Sequence, residues 1–170
     1  MKTLFISAKI KSSVNLPAIQ EISNILPKEI AIAYSIQYED IAKKIKQILS
    51  KNHKITKFIQ VLGCSRPIFQ DTQAILLIGS GRFHAVSLAL ESNLPVYILQ
   101  NHNLQKIPEK EIESLRIKKK SSYLKFLHSN NVGILVSTKP EQENLKRALE
   151  LKKSLDKKSY LFIGDNISPA

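Results

Sequence analysis

The sequence contains one cysteine, no tryptophan and no apolar run long enough to cross a membrane. The single cysteine, Cys64, excludes an intrachain disulfide and an intrachain CxxC zinc site, and it fits a reducing compartment. A membrane-spanning helix needs about 20 consecutive apolar residues, and every run here falls well short of that length. These absences predict a soluble, cytoplasmic protein with no membrane association.

The chain is strongly basic, with 26 Lys and Arg against 14 Asp and Glu and a formal charge of +12. Such a charge favours polyanions or an acidic partner surface through long-range attraction. Recognition of RNA also needs aromatic side chains that stack on bases, yet aromatic residues make up only 6% of this chain. The composition therefore favours a basic solvated surface over direct nucleic-acid binding.

Seven short apolar runs alternate with amphipathic stretches along the chain. Between the runs, Ile41, Ile45 and Ile48, and later Leu145 and Leu149, recur at helical spacing. Because parallel strands need crossover connections, this alternation predicts an α/β fold with a largely parallel sheet flanked by helices, of the Rossmann-like type. The predicted strands are Thr3–Ile6, Ile30–Tyr34, Ile55–Ile59, Ala74–Ile78, Pro95–Leu99, Val132–Val136 and Tyr160–Ile163.

A chain of 170 residues can form one well-buried domain and part of a second. We expect a boundary near residue 128, with an α/β domain over residues 1–128 and a partial β-α-β domain over residues 129–170. The polar stretch 101–108 predicts a long connection before a charged helix that begins at Glu109.

The predicted second domain begins with a strand that should run into a helix. Ser137 or Thr138 is expected to cap that helix, with Pro140 in its first turn. About 40 residues are too few to cover both faces of their own sheet. This part should therefore dock on the first domain or on another chain.

A glycine-rich turn, Gly79-Ser80-Gly81, follows the predicted strand Ala74–Ile78 and precedes Arg82 and His84. A strand that leads through such a turn into a helix directs backbone N–H groups outward, which suits a phosphate or carboxylate. Arg82 could clamp a carboxylate and His84 could donate from its ring, although an isolated histidine here more often caps or packs. His84 replaces the third glycine of the dinucleotide fingerprint, so the pattern does not favour NAD.

Two further candidate residues, Cys64 and Gln37, follow the ends of predicted strands. Cys64 comes directly after Gly63, where the backbone can turn and project a side chain from the sheet edge. From composition alone, a lone cysteine is more often a small buried hydrophobic residue. Gln37 lies at the carboxyl end of a strand, where open α/β sheets bind ligands. No Ser-His-Asp ordering, carboxylate pair or histidine-rich metal spacing appears.

Two segments, QVLGCS at 60–65 and AILLIGSGRFH at 74–84, resemble the archaeal and eukaryotic diphthamide synthase family. In that family a Gln-Val-Leu-Gly-Cys stretch is followed closely by a strand and a Gly-x-Gly-x-Phe-His turn. Residues 15–38 resemble the opening of the family's middle domain, and residues 126–153 resemble the start of its last domain. The resemblance covers nearly the whole chain. It implies that residues 1–128 correspond to the family's middle domain, with a remnant of the family's first domain.

The resemblance implies a role in the first step of diphthamide biosynthesis, in which the 3-amino-3-carboxypropyl group of S-adenosylmethionine is transferred to a histidine of elongation factor 2. In the family, three α/β domains each present one cysteine to a 4Fe–4S cluster, which generates the radical that adds to the imidazole. The resemblance therefore implies that Cys64 is a ligand of the iron–sulfur cluster. The residues implied to line the S-adenosylmethionine pocket are Gly79, Ser80, Gly81, Arg82, His84 and, more peripherally, Gln37.

The sequence departs from the family pattern because only one of the three cysteines is present. The resemblance then implies a partial or split component, in a homo- or hetero-oligomer with a family member that supplies further cysteines, or a fragment of a longer chain. A non-catalytic partner subunit of a complete family member is an alternative. A third interpretation is a small α/β module that binds an anionic metabolite at the Gly79–Gly81 turn without iron.

Overall fold

The structure, a computed structural model, describes residues 9–10, 15–62, 67–100, 103–139 and 143–165. The chain divides into two compact units, one over Ile6–Ile117 and the other over Met1–Phe5 with Lys118–Ala170. The predicted strand Thr3–Ile6 and the residue Cys64 lie outside the described residues. The assignment of residues 1–128 and 129–170 to the family's middle and last domains stays a prediction.

Helices and strands alternate along the chain, as the sequence pattern predicts. The helices are α1 (Leu16–Ile25), α2 (Glu39–Leu49), α3 (Arg82–Ser92), α4 (Glu109–His128) and α5 (Leu145–Ser154), with a 3-10 turn at Ile36–Tyr38. The strands are β1 (Glu29–Tyr34), β2 (Lys54–Gln60), β3 (Ala74–Ile78), β4 (Val96–Gln100), β5 (Asn103–Lys106), β6 (Asn131–Ser137) and β7 (Lys158–Gly164).

The first unit is built on a five-stranded sheet with the order β2-β1-β3-β4-β5. Strand β1 pairs in parallel with β2 and β3, β3 pairs in parallel with β4, and only β5 runs antiparallel. All five residues of β3 are buried, as expected for a parallel strand covered by helices on both faces. The predicted α/β fold with a largely parallel sheet is confirmed.

The side chains of β1 and β3 alternate between two apolar cores, one on each face of the sheet. Ile30 and Ile32 point toward α1 and α2, whereas Ala31 and Ala33 point toward α3. Ala85 and Ala89 of α3 are buried in the same core as Ala31 and Ala33, together with Ile75 and Leu77 of β3. Alternation along β1 and β3 thus supplies both cores of the sheet with buried side chains.

Two local expectations were wrong. The stretch 101–108 contains β5, which pairs Leu104 with Leu99, because a single inward apolar residue suffices for a short edge strand. The helix after β6 is capped by neither Ser137 nor Thr138. Ser137 is still within β6, paired with Gly164, and α5 starts at Leu145 after the N-cap Asn144. Continued strand pairing therefore outweighs the local capping preference of Ser137.

The second unit contains the parallel strands β6 and β7, with α5 packed on one face. Ala148 of α5 packs against Ile134 and Val136, and these three residues form its small core. On the opposite face, Leu135 and Phe162 are paired across the strands and remain 59% and 57% exposed.

Helix α4 is 20 residues long, and within it only Ile112 is buried. Lys157 caps its carboxyl end, because its Nζ donates to the carbonyls of Leu127 at 2.9 Å and Ser129 at 2.7 Å. Neither α4 nor another described helix is long and apolar enough to cross a membrane.

The buried residue His53 links α1 to the beginning of the sheet. It is 7% exposed, and its Nδ1 donates to the Pro27 carbonyl at 2.8 Å, since a carbonyl can only accept. In the neutral ring, Nε2 then accepts from the Ser23 hydroxyl at 2.7 Å. Both polar groups of this buried ring are thereby satisfied.

We expect His53→Ala to lower the free energy of unfolding by about 1–3 kcal/mol, because it leaves the Ser23 and Pro27 groups without their partner. Chemical denaturation of both proteins measures this difference. The matched control is Asn52→Ala, an exposed neighbour in the same loop, for which we expect a change within about 0.5 kcal/mol. Equal losses in the two variants would contradict a role for the buried hydrogen bonds.

Candidate functional site

The four parallel strands of the first unit end at the same edge of the sheet. From β1 the chain moves to β2 on one side, and it then returns to β3 on the other side. The order therefore reverses between β1 and β3. In open α/β sheets, ligands bind at the carboxyl ends of the strands at such a switch point.

The loops that follow β1 and β3 touch each other at this switch point. The Ser35 N–H donates to the Ile78 carbonyl at 3.4 Å. A Cβ added at Gly79 would lie 3.0 Å from Ser35 Oγ and 3.9 Å from the Tyr38 ring. Glycine at position 79 therefore allows the two loops to approach closely, and the neighbouring Ser80 is exposed. Sequence analysis missed Ser35 and Tyr38, since only strand pairing brings them to Gly79.

Gln37 lies in the 3-10 turn after β1, and it is exposed. Its backbone carbonyl accepts from the Ile10 N–H at 2.9 Å. The neighbouring Lys9 forms ion pairs with Asp40 at 3.0 Å and Glu39 at 3.2 Å. The predicted residue therefore lies at the same edge as the glycine turn, with the segment 9–10 beside it.

Helix α3 begins at this edge, directly after the glycine turn. Its N-cap residue, Gly81, provides no capping side chain, and the first turn contains no acidic residue. A Cβ added at Gly81 would lie only 2.5 Å from His84 Nδ1, so the half-buried His84 ring would have to move to accommodate it. The helix amino terminus thus presents a partial positive charge that suits an anion.

Arg82, predicted to clamp a carboxylate, is bound to a carboxylate of this same chain. Its Nε and Nη2 donate to the two oxygens of Glu111 at 3.0 and 2.6 Å, and its Nη1 donates to Gln105 at 3.2 Å. The hydrogen bonds to Glu111 raise the pKa of Arg82, and those from Arg82 lower the pKa of Glu111. No sequence pattern signals this pair, because its members are 29 residues apart. Arg82 as a ligand-binding residue stays a prediction.

The strand β2 leads to Cys64 and ends at the same edge. The Val61 N–H donates to the Tyr34 carbonyl at 2.8 Å, so the chain leaves β2 beside the end of β1. Gly63 and Cys64 themselves lie outside the described residues. Within the described part of the chain, no group of three or more His, Cys, Asp or Glu residues is arranged to hold a metal ion.

The donor set of this sequence does not by itself fit an iron–sulfur cluster. Such clusters are held by several cysteine thiolates, and the sequence offers one. What the described edge does provide is a close contact between two loops, a helix amino terminus and exposed polar groups. An open, mostly parallel α/β sheet with a switch point is an architecture in which ligand sites form at the carboxyl ends of the strands.

Comparison with known proteins identifies the family. The family model for diphthamide synthesis proteins matches residues 1–170, so the chain belongs to the diphthamide synthesis protein family. A curated relative, 2-(3-amino-3-carboxypropyl)histidine synthase of Methanocaldococcus jannaschii, is 31% identical over an alignment of 150 residues, and the match covers 84% of this chain and 40% of the relative.

Two crystal structures of Dph2 from Pyrococcus horikoshii, one of them with a 4Fe-4S cluster, confirm the fold. They match with TM-scores of 0.75 and 0.74 at 24% identity, and each match covers 90% of this chain and 50% of the solved chain. The chain thus spans about two fifths of the curated relative and half of each solved chain.

We expect Gly81→Ala to destabilise the first unit by about 1–3 kcal/mol, because its Cβ would displace the His84 ring. Adding His84→Ala should remove most of this loss and leave only the smaller preference for glycine over alanine at an N-cap. Chemical denaturation of the two single variants and the double variant measures the coupling. Gly164→Ala is the control, since a Cβ there meets nothing within 4 Å. If the stability changes of the two single variants simply add up in the double variant, the clash between position 81 and His84 is ruled out.

We expect Glu111→Gln to lower stability near neutral pH and to have a diminishing effect in acid. The folded-state pKa of Glu111 is lowered, chiefly by the hydrogen bonds from Arg82, so its stabilising effect exists above the unfolded-state pKa. That effect disappears as the pH falls through the folded-state pKa. Thermal unfolding of both proteins across this range tests the sign. Glu113→Gln removes a carboxylate of the same helix that pairs with Arg116 and not with Arg82, and an identical pH profile there would show that the effect is not specific to the pair of Arg82 and Glu111.

Proposed function

We propose that this chain is a component of diphthamide biosynthesis that takes part in transferring the 3-amino-3-carboxypropyl group of S-adenosylmethionine to a histidine of elongation factor 2. Membership of the family over residues 1–170 supports this proposal. The observation that carries it is the position of the end of β2. The strand that leads to Cys64 ends beside β1, at the edge that also bears the Gly79–Gly81 turn.

In this proposal, Cys64 is one ligand of a 4Fe–4S cluster, and other chains supply the remaining thiolates. One of the two structures of Dph2 from Pyrococcus horikoshii contains such a cluster. Because the present sequence has one cysteine, a shared cluster requires a homo- or hetero-oligomer with a family member that contributes further cysteines. When bound, the cluster would supply the electron that cleaves S-adenosylmethionine.

The described residues would bind and orient S-adenosylmethionine rather than react with it. Its carboxylate suits the amino terminus of α3, where Gly79 and Gly81 let the backbone approach closely. His84 has a ring nitrogen beside Gly81, and Ser80 and Gln37 are exposed at the same edge. Arg82 would reach a carboxylate only by giving up Glu111.

The basic surface suits an acidic region of elongation factor 2 or of a partner subunit, since opposite charges speed association. Elongation factor 2 is a cytoplasmic target, so we propose the same location for this chain.

The ion pair between Arg82 and Glu111 favours one alternative, a non-catalytic partner subunit of a complete family member. In such a subunit, Arg82 would serve only to hold α3, β5 and α4 together through Glu111 and Gln105. The single cysteine agrees with this alternative as well.

We expect the chain to bind iron and sulfide in anaerobic reconstitution with a complete family member from the same organism. Complexes reconstituted with Cys64→Ala should contain less iron and show less visible absorbance than complexes with the wild-type chain, because the variant lacks the thiolate ligand. Metal and sulfide analysis, with spectra recorded before and after addition of S-adenosylmethionine, measures both. Ser65→Ala, the adjacent position, is the matched control and should keep the full amount.

The outcomes separate the three interpretations. Iron binding that is unchanged in Cys64→Ala would refute the cluster role. If the variant still associates with the family member, the chain is a non-catalytic subunit. Binding of a small anion that is weakened by Arg82→Ala, and is insensitive to Cys64→Ala, would instead indicate an iron-free metabolite module.

A further inference from the structure

The carboxyl half of α4, residues 118–128, is exposed along its whole length. It includes three large apolar side chains, Tyr123, Leu124 and Leu127, which are 61%, 45% and 45% exposed. A single exposed apolar residue is ordinary on a protein surface. Three of them within two turns of one helix form a small contiguous patch, and such patches on soluble proteins often bind a partner.

These three residues lie on one side of the helix, together with Lys120. Positions 120, 123, 124 and 127 have the spacing i, i+3, i+4 and i+7, which places their side chains along a single line. We call these four residues the α4 stripe. The stripe is about 11 Å long, because a helix rises about 1.5 Å per residue.

The same half of α4 is strongly basic. Residues 114–140 contain six Lys or Arg and no Asp or Glu, whereas the first turn of α4 contains two glutamates. Cations in the last turn, such as Lys125, stabilise a helix through its dipole, but this effect fades beyond that turn. Lys118 and Lys120 lie more than two turns before the helix ends at His128, so the dipole does not explain them. Their charge suits the attraction of an acidic partner.

A lysine just before β7 fixes the carboxyl end of α4. Lys157 Nζ donates to the carbonyls of Leu127 and Ser129, and it lies 5.5 Å from the centre of the Phe126 ring. The α4 stripe therefore belongs to a helix whose end is already held in place. A preformed helix loses less conformational freedom on binding than an unfolded segment would.

We infer that the α4 stripe docks into an apolar groove with an acidic border on a transient partner protein. A helix that presents positions i, i+3, i+4 and i+7 to such a groove is a common mode of recognition. A second copy of this chain is a poor occupant, because each copy has a formal charge of +12 and like charges repel. The stripe is also short and includes a charged residue, whereas permanent subunit interfaces are larger and more apolar.

The identity of this partner rests on the proposed function. In that function the elongation factor that contains the target histidine must bind before each transfer and leave afterwards, so it is the transient protein partner. The α4 stripe would hold the factor through side chains that take no part in the transfer itself. Docking at the stripe requires neither iron nor S-adenosylmethionine.

Fluorescence anisotropy of labelled elongation factor 2 from the same organism, titrated with the full chain, tests the docking surface. The double variant Tyr123→Ala, Leu127→Ala should bind at least about tenfold more weakly, because a few apolar anchors supply most of the affinity of an interface. Lys120→Gln should bind about threefold more weakly at low salt and show a smaller loss as salt is added.

Matched controls come from α5, which belongs to the same unit. Leu149→Ala changes a leucine that is 43% exposed, and Lys152→Gln changes an exposed lysine. Both should bind the factor as the wild-type chain does. Far-UV circular dichroism of every variant shows whether the helices are retained, since all the changed side chains are exposed and should leave the spectrum unaltered.

Unchanged binding in the α4 variants, or equal losses in the α5 controls, would overturn the inference. It is also overturned if the α4 variants keep the factor but lose binding to phosphatidylglycerol vesicles or to a complete family member, because the stripe then contacts a membrane or a subunit. A wild-type chain that does not bind the factor would overturn the docking surface, while iron bound through Cys64 would still support the proposed function. Conversely, factor binding that depends on the stripe, without iron that depends on Cys64, would support the docking surface and refute the cluster role.

Discussion

Strand β1 is held in parallel register on both of its sides, and the rest of the first unit depends on that pairing. With β2 on one side and β3 on the other, the residues Ile30 to Tyr34 have no exposed face, so helices must cover both surfaces of the sheet. The same pairing makes the chain leave β1 and β3 in opposite directions. In open α/β sheets, ligands bind at the carboxyl edge where the strand order reverses in this way.

The candidate site is formed by residues that strand pairing brings to this edge of the sheet, and not by a contiguous sequence motif. Ser35, Tyr38 and Gly79 meet because two strands end side by side, and the end of β2 joins them through Val61 and Tyr34. The pair formed by Arg82 and Glu111 adds an electrostatic constraint, since it joins the start of α3 to the start of α4. The charge of Arg82 is therefore already balanced within the chain, which limits its capacity to bind a ligand.

The second unit repeats the β-α-β arrangement of the first but lacks the third strand among its described residues. Among its described residues, the core contains Ile134, Val136 and Ala148 as buried residues, and large apolar side chains stay exposed on the other face. Such an arrangement gains stability from any additional strand or covering layer, because apolar burial scales with area.

Local sequence patterns determined six strands, the helical crossovers between them and the glycine turn before α3. Each depends on periodicity or on residues close together in sequence, such as the buried run of β3. The motif pair at 60–65 and 74–84 also determined the family. Only tertiary pairing decided the strand order, the antiparallel β5 and the late start of α5 at Leu145, because a single residue such as Leu104 or Ser137 carries too little local preference. The contacts of Arg82 with Glu111 and of Gly79 with Ser35 likewise join residues distant in sequence, so only the folded sheet brings them together.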